Sequence, residues 1–118
     1  MRTVAMKKTG HDLIPKCRLA TTFGPRFLGL MGRSGLDADE AILFPKCNSI
    51  HTFFMRFPID VVLVSASGEV VEVVEALGAW RLLLPRRGVK HVVEMRAGRC
   101  KELGIESGNR LQVEGVFT

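Results

Sequence analysis

Cys47, His51 and Met55 stand four residues apart in the run CNSIHTFFMRFPID over residues 47–60. Thiolate, imidazole and thioether are soft donors, a set that suits Cu(I). A four-residue step falls on one side of a helix and also on one side of a strand, so periodicity does not choose between them. Distance does choose: a strand separates such positions by about 13 Å, too far for one ion. Pro58 and the pair Phe53 and Phe54 disfavour the helix that would gather them. Neither a metal nor any other cofactor is therefore expected, and Cys47 and Met55 read as core residues. Cys47 with His51 as base would make a nucleophile. No recognised signature surrounds the pair, and a structural thiol is the simpler reading.

Two carboxylates sit in apolar surroundings. Asp60 lies between Phe57, Pro58 and Ile59 on one side and Val61 and Val62 on the other. A buried carboxylate needs a cation or several donors, and Arg26, Arg33, Arg56 and Arg96 could supply the cation. Asp60 is then either a structural ion pair or loop-fixing acceptor, or a site residue. Glu94, within HVVEM, falls on the strand face opposite His91, Val93 and Met95. It is either part of a solvated face or a second carboxylate near Asp60, which would allow general acid–base chemistry. The cations Arg81, Arg86, Arg87, Lys90, Arg96, Arg99 and Lys101, with Trp80 among them, could contact phosphates and stack a base. Helix-turn-helix, Gly-rich phosphate loop and RNP-like patterns are missing. A nucleic-acid partner thus has little else behind it, and a solvated loop explains the charges.

These residues must be positioned by a chain of 118 residues, a length for one domain with one core. Its 47% hydrophobic and 25% charged residues fit a globular protein rather than a disordered one. The net charge of +5 permits weak attraction to anions without demonstrating it. No apolar run approaches the roughly 18–20 residues of a membrane span; the longest lies near residues 59–64. The N-terminus, broken by Lys7, Lys8, Asp12 and Pro15, has no signal-peptide core. The expectation is a cytoplasmic protein with no membrane partner. The three cysteines, Cys17, Cys47 and Cys100, cannot all pair with one another and are expected as free thiols.

Residues 1–15 read as a frayed arm and residues 16–118 as a single domain. Strands are expected over 18–22, 41–44, 59–65, 69–75, 91–95 and 110–114, with 50–55 extended. The turn Ala66-Ser67-Gly68 makes 59–75 a hairpin. Gly24-Pro25 opens a short helix with Phe27, Leu30 and Met31 on one face, and 97–103 forms a second helix ended by Gly104. The sum is an α+β fold, mostly antiparallel β, barrel-like or sandwich-like, with two short helices.

An ordered set of short motifs runs through this domain. Arg26-x-x-Gly29-Leu30-Met31 is followed by Arg33, Leu43-Phe44, Ile50-His51-Thr52-x-Phe54-Met55 and Pro58-Ile59-Asp60-Val61. Gly68-x-Val70, Glu94-Met95-x-Ala97-Gly98 and Ser107-Gly108-Asn109 complete it. In order and spacing the set resembles the uncharacterised family known as domain of unknown function 192. The resemblance implies a small, mostly β domain with a couple of short helices, and no activity. Ser65 departs from it where an acidic residue is common, and Arg96 where a proline often stands. The polar matches His51, Thr52, Asp60 and Glu94 are the ones that packing does not explain. They suggest a domain that binds a small ligand or a protein partner, of open oligomeric state. Its concave site would be lined by Arg26, His51, Thr52, Phe54, Met55, Asp60, Trp80, Glu94 and Arg96. The alternative is a hydrolase-like or other enzyme using Cys47 or His51 with Asp60 or Glu94.

Overall fold

The computed structural model describes residues 2–8, 11–20, 36–51 and 57–117. In chain order the elements are β1 (Arg2–Lys8), β2 (His11–Leu19), β3 (Glu40–Phe44), β4 (Ile50–His51), β5 (Ile59–Val64), β6 (Val70–Leu77), β7 (Leu82–Leu83), β8 (His91–Arg96), α1 (Arg99–Leu103) and β9 (Leu111–Val113). Seven strands form one sheet in the order β6-β5-β8-β3-β2-β1-β9, and β4 pairs with β7 in a separate two-stranded ribbon. Every pairing is antiparallel except β2 with β3, which runs parallel from Lys16 opposite Glu40 to Leu19 opposite Leu43.

The middle of the sheet is covered on both sides, as the sequences of its strands require. IDVVLV in β5 is buried at every position, and so is EAILF in β3; unbroken apolar runs mark strands packed on both faces. One face carries Leu43, Val62, Val93 and Met95. It packs against Met6, Ile14 and Cys17 of the curled-over β1–β2 pair, Leu111 and Val113 of β9, Phe117, and Cys100 of α1. The other face carries Ile42, Phe44, Val61, Leu63 and Val92. Leu36, Leu83 and Val89 pack on it, with Cys47, Ile50 and Phe57 at its margin.

The β5–β6 hairpin forms where the sequence places it. Its turn needs glycine at position 68, where φ is +96° and an added Cβ would lie 2.4 Å from the Leu111 carbonyl oxygen. That close approach is part of a backbone pairing, because the Leu111 N–H donates to the Gly68 carbonyl at 2.8 Å. The expected helix over 97–103 is α1.

Two expectations change. The stretch expected as a frayed arm, residues 1–15, is strand where it is described: residues 2–8 are β1 and residues 11–15 the first half of β2. The polar residues that interrupt the pattern belong to a strand's outer side, so Lys7 and Pro15 are exposed while their neighbours Met6 and Ile14 are fully buried and paired. The sheet is open rather than a closed barrel. Its two ends meet at the isolated bridge of Glu69 with Arg110 and at backbone hydrogen bonds of Gly68 with Leu111 and of Val70 with Gly108 and Asn109, but no ladder forms between β6 and β9. Of the two helices, α1 is the one found among the described residues; the helix expected to follow Gly24-Pro25 lies outside them.

Candidate functional site

Asp60 and Glu94 sit on neighbouring strands and one step apart in register. Asp60 opposes Met95, and Glu94 opposes Val61 on β5 and Ile42 on β3. Successive residues of a strand face opposite ways, so the two carboxylates lie on opposite faces of the sheet. They do not form an acid–base pair, and the shared pocket expected for them does not exist.

Asp60 is fully buried and its oxygens are taken up by backbone donors. Oδ1 accepts from the Ala76 N–H at 2.9 Å, and Oδ2 accepts from the Gly98 and Cys100 N–H groups, each at 3.0 Å. Ala76 lies in a bulge of β6: the two-residue step along β5 from Ile59 to Val61 is matched by a three-residue step along β6 from Leu77 to Val74. Its φ of 49° is left-handed. The other two donors open α1, whose N-cap Gly98 has no side chain to serve them. Asp60 therefore does from a neighbouring strand what a capping side chain does locally, and it pins the bulge as well. The Cys100 thiol beside it is pushed up to about 12, first by burial and then by the Asp60 charge. Burial pushes the Cys17 thiol up to about 12 as well.

Glu94 is only 4% exposed, which removes the solvated-face reading. Its strand neighbours on that face, Ile42, Val61 and Val92, are apolar. Burial pushes its carboxyl from the ordinary 4.5 up to about 8. No hydrogen bond or ion pair to its carboxyl occurs among the described residues. No side-chain nitrogen or oxygen among them is both sealed from solvent and without a partner, so the Glu94 oxygens keep a narrow opening to the surface. This is the arrangement in which a carboxyl stays protonated near neutrality and offers a hydrogen bond to whatever enters.

Cys47 lies at the margin of the core on that same side. Its thiol donates to the Ser49 carbonyl at 2.9 Å, and its N–H donates to the Lys90 carbonyl at 2.9 Å. With Lys46, Asn48, Val89 and Lys90 it lines a shallow depression of about 120 Å³. Residue 51 is held by the β4–β7 ribbon opposite Leu82, next to the pair Ile50–Leu83. Trp80 is 60% exposed, with a left-handed φ of 60°. Arg96 is exposed at the end of β8, 3.7 Å from Glu102. Arg26, Thr52, Phe54 and Met55 lie outside the described residues. Of the expected set, the structure thus brings Glu94 and the 47–51 segment to one side and sends Asp60 to the other.

Much of the basic set is already engaged. Arg86 Nε donates to Glu72 at 2.9 Å, Arg99 Nε donates to the Ala38 carbonyl at 2.6 Å, and Arg96 and Arg99 both approach Glu102. Two buried polar residues escaped the sequence reading. Glu40 accepts from Arg18 at 2.6 Å and from the Asp37 N–H at 3.0 Å. His91 Nδ1 accepts from the Lys46 N–H at 3.1 Å, and its ring lies 5.2 Å from that of Phe117. Burial, then Lys90 and Lys46, hold His91 below its ordinary 6.5. The signal for both was a polar residue bordering an apolar run, AILF after Glu40 and VV after His91. No group of three or more His, Cys, Asp or Glu side chains placed to hold a metal occurs among the described residues. No helix among them is long and apolar enough to cross a membrane.

Fold and site define a mostly β domain built on one open mixed sheet, with a buried carboxyl on each face. The chain belongs to the DUF192 family, described as "Uncharacterized ACR", whose model matches residues 4–113. Its relatives include UPF0127 protein PF1050 of Pyrococcus furiosus, 35% identical over 106 residues that cover 87% of this chain and 90% of the relative. A UPF0127 protein of Thermococcus sibiricus is 34% identical over 112 residues, covering 92% of this chain and 72% of the relative. Among solved structures, a protein of unknown function from Novosphingobium aromaticivorans superposes with a TM-score of 0.77 at 23% identity. The match covers 93% of this chain and 83% of that one. A candidate transcription regulator from Sinorhizobium meliloti gives 0.77 at 25% identity, covering 98% of both chains.

Proposed function

We propose that this domain binds a small, largely apolar molecule on the Ile42–Val61–Glu94 face of the main sheet, with Cys47 and Ile50 at its margin and Glu94 as the polar anchor. The observation that supports this is a carboxyl 96% buried in apolar surroundings without a partner among the described residues. Ligand sites commonly combine an apolar lining with very few polar groups that fix orientation. Asp60 takes no part in this reading, because three backbone N–H groups occupy its oxygens. The protonated Glu94 donates to a ligand oxygen through its O–H, or accepts a ligand N–H or O–H on its carbonyl oxygen. The nucleophile alternative has less support: the Cys47 thiol spends its proton on the Ser49 carbonyl, and its reactivity would have to come from elsewhere. A cytoplasmic setting suits the reading, with Cys17, Cys47 and Cys100 all unpaired.

The test is fluorescence titration with 1-N-phenylnaphthylamine, a neutral apolar amine. Saturable binding at one per chain is expected, weakened at least about tenfold in Glu94→Leu, the worth of a hydrogen bond in an apolar site. Trp80→Ala should leave it unchanged. Binding that is not saturable, or that Glu94→Leu leaves intact, overturns the proposal.

A further inference from the structure

We infer that the loop over residues 80–87 is a docking surface for an anionic lipid bilayer, touched peripherally and not crossed. The pattern begins with β7. Leu83 is 6% exposed and faces inward opposite Ile50, whereas Leu82 and Leu84 on either side are 58% and 59% exposed. Alternation along an extended segment therefore sends two leucines outward together. Trp80, 60% exposed, stands two residues before Leu82. Its backbone is left-handed, a conformation that bulky residues seldom hold. The fold thus carries three large apolar side chains at its surface within five residues, where soluble surfaces usually scatter them singly.

The charges between them choose the occupant. Residues 76–93 include Arg81, Arg86, Arg87 and Lys90 and no acidic residue. Arg86 is turned back onto Glu72, while Arg87 and Lys90 are exposed. A second copy of this chain would bring cations against cations across a twofold axis. A nucleic acid would use the cations and leave both leucines in water. An extended peptide needs recesses for its side chains, whereas Trp80, Leu82 and Leu84 project. An anionic bilayer accepts all of these features at once: the indole at the interface, the leucines at the acyl boundary, and the arginines among the headgroups. The sequence expectation of no membrane partner rests on the lack of a long apolar run, which bears on a helical crossing and not on a contact of this kind.

Trp80 is the chain's single tryptophan, so its emission reports on this loop alone. The full chain is titrated at low salt with vesicles of equimolar phosphatidylglycerol and phosphatidylcholine, and with vesicles of phosphatidylcholine alone. The expected result is a blue shift and co-sedimentation with the anionic vesicles, and partitioning at least about tenfold weaker without anionic lipid. Arg87→Gln should reduce partitioning about fivefold, the usual worth of one cation at such a surface. Leu82→Glu combined with Leu84→Glu should abolish it without changing the thermal melt, since both side chains are exposed. Four results overturn the inference: no shift with either vesicle, equal partitioning into both, unaltered binding by the double variant, or a shift produced by a duplex oligonucleotide or polyglutamate but not by vesicles. None of them bears on Glu94, whose ligand is tested separately.

Discussion

Replacing Glu94 with glutamine should stabilise the ligand-free domain, by an amount that grows with pH. Burial holds the carboxyl near 8 in the folded protein against 4.5 in the unfolded chain. The folded state therefore keeps, between those values, a proton that the unfolded state has released. Stability falls as pH rises through that window and levels off above it. Each pH unit is worth about 1.4 kcal/mol. The interval from 4.5 to 7 thus amounts to roughly 3 kcal/mol, and the whole interval to 8 to roughly 5 kcal/mol. Glutamine has nearly the same shape and never ionises, so Glu94→Gln and the parent should be equally stable near pH 4.5 and diverge steadily above it. His91, held below its ordinary value by burial, is common to both proteins and cancels in the difference. Urea unfolding followed by circular dichroism from pH 4.5 to 8.5 measures the effect. With a slope near 1.5 kcal/mol per molar urea, the midpoints should separate by about 2 M at pH 7. Parallel profiles for the two proteins would show the carboxyl compensated in solution and would remove the physical basis for Glu94 as an open ligand anchor.

Asp60→Ala leaves the N–H groups of Ala76, Gly98 and Cys100 without their acceptor. It should cost about 3–5 kcal/mol in urea unfolding, and a loss under about 1 kcal/mol would mean that the bulge and α1 hold themselves. Gly68→Ala drives a Cβ against the Leu111 carbonyl in a left-handed turn; a loss of at least about 2 kcal/mol is expected in the same assay. Titration with a disulfide reagent at pH 8 should find one thiol in the native protein, Cys47, and three in denaturant. Cys17 and Cys100 are fully buried with their thiols pushed up to about 12. Reaction of Cys47 faster than a model thiol would restore the nucleophile reading.

The sequence shows most where structure is local. The hairpin of β5 and β6 could be drawn from IDVVLVSASGEVVEV because strand, turn and return strand are contiguous. The single helical turn before Gly104 was legible for the same reason. Alternation within HVVEM also placed Glu94 opposite His91, Val93 and Met95. What could not be read was pairing at a distance. Asp60 is explained by Ala76, Gly98 and Cys100, and the nearest of these is 16 residues away. Whether Asp60 and Glu94 share a face depends on the register of β5 against β8, which no window of sequence contains. The N-terminal strands are not legible locally, because polar residues such as Lys7, Lys8 and Asp12 interrupt the apolar pattern there. In the fold, β1 gains its place from β2 and β9, the latter beginning more than a hundred residues later.

The two carboxylates differ in what surrounds them, and so do the two sides of the sheet. On Asp60's side the covering layer is tied down repeatedly. The β1–β2 and β1–β9 ladders, the Phe117 bridge to Val113 and Asp60's own three hydrogen bonds all fasten it. Loosening that side would break several of them together. On Glu94's side the described cover is held by the two residue pairs of the β4–β7 ribbon, by apolar contacts, and by single hydrogen bonds such as Cys47 N–H to the Lys90 carbonyl, Lys46 N–H to His91 and Arg99 to the Ala38 carbonyl. A two-stranded ribbon of that length has little stability of its own, and segments so held open at small cost. A carboxyl that served only the fold would sit where donors are fixed, as Asp60 does. A buried carboxyl without donors is less stable than a hydrocarbon of the same size, so at position 94 leucine would serve the fold better. Glu94 places a costly group under the layer that has the fewer strand ladders among the described residues. Stability of the fold does not account for a carboxyl there, and that is the ground on which we propose a ligand for it.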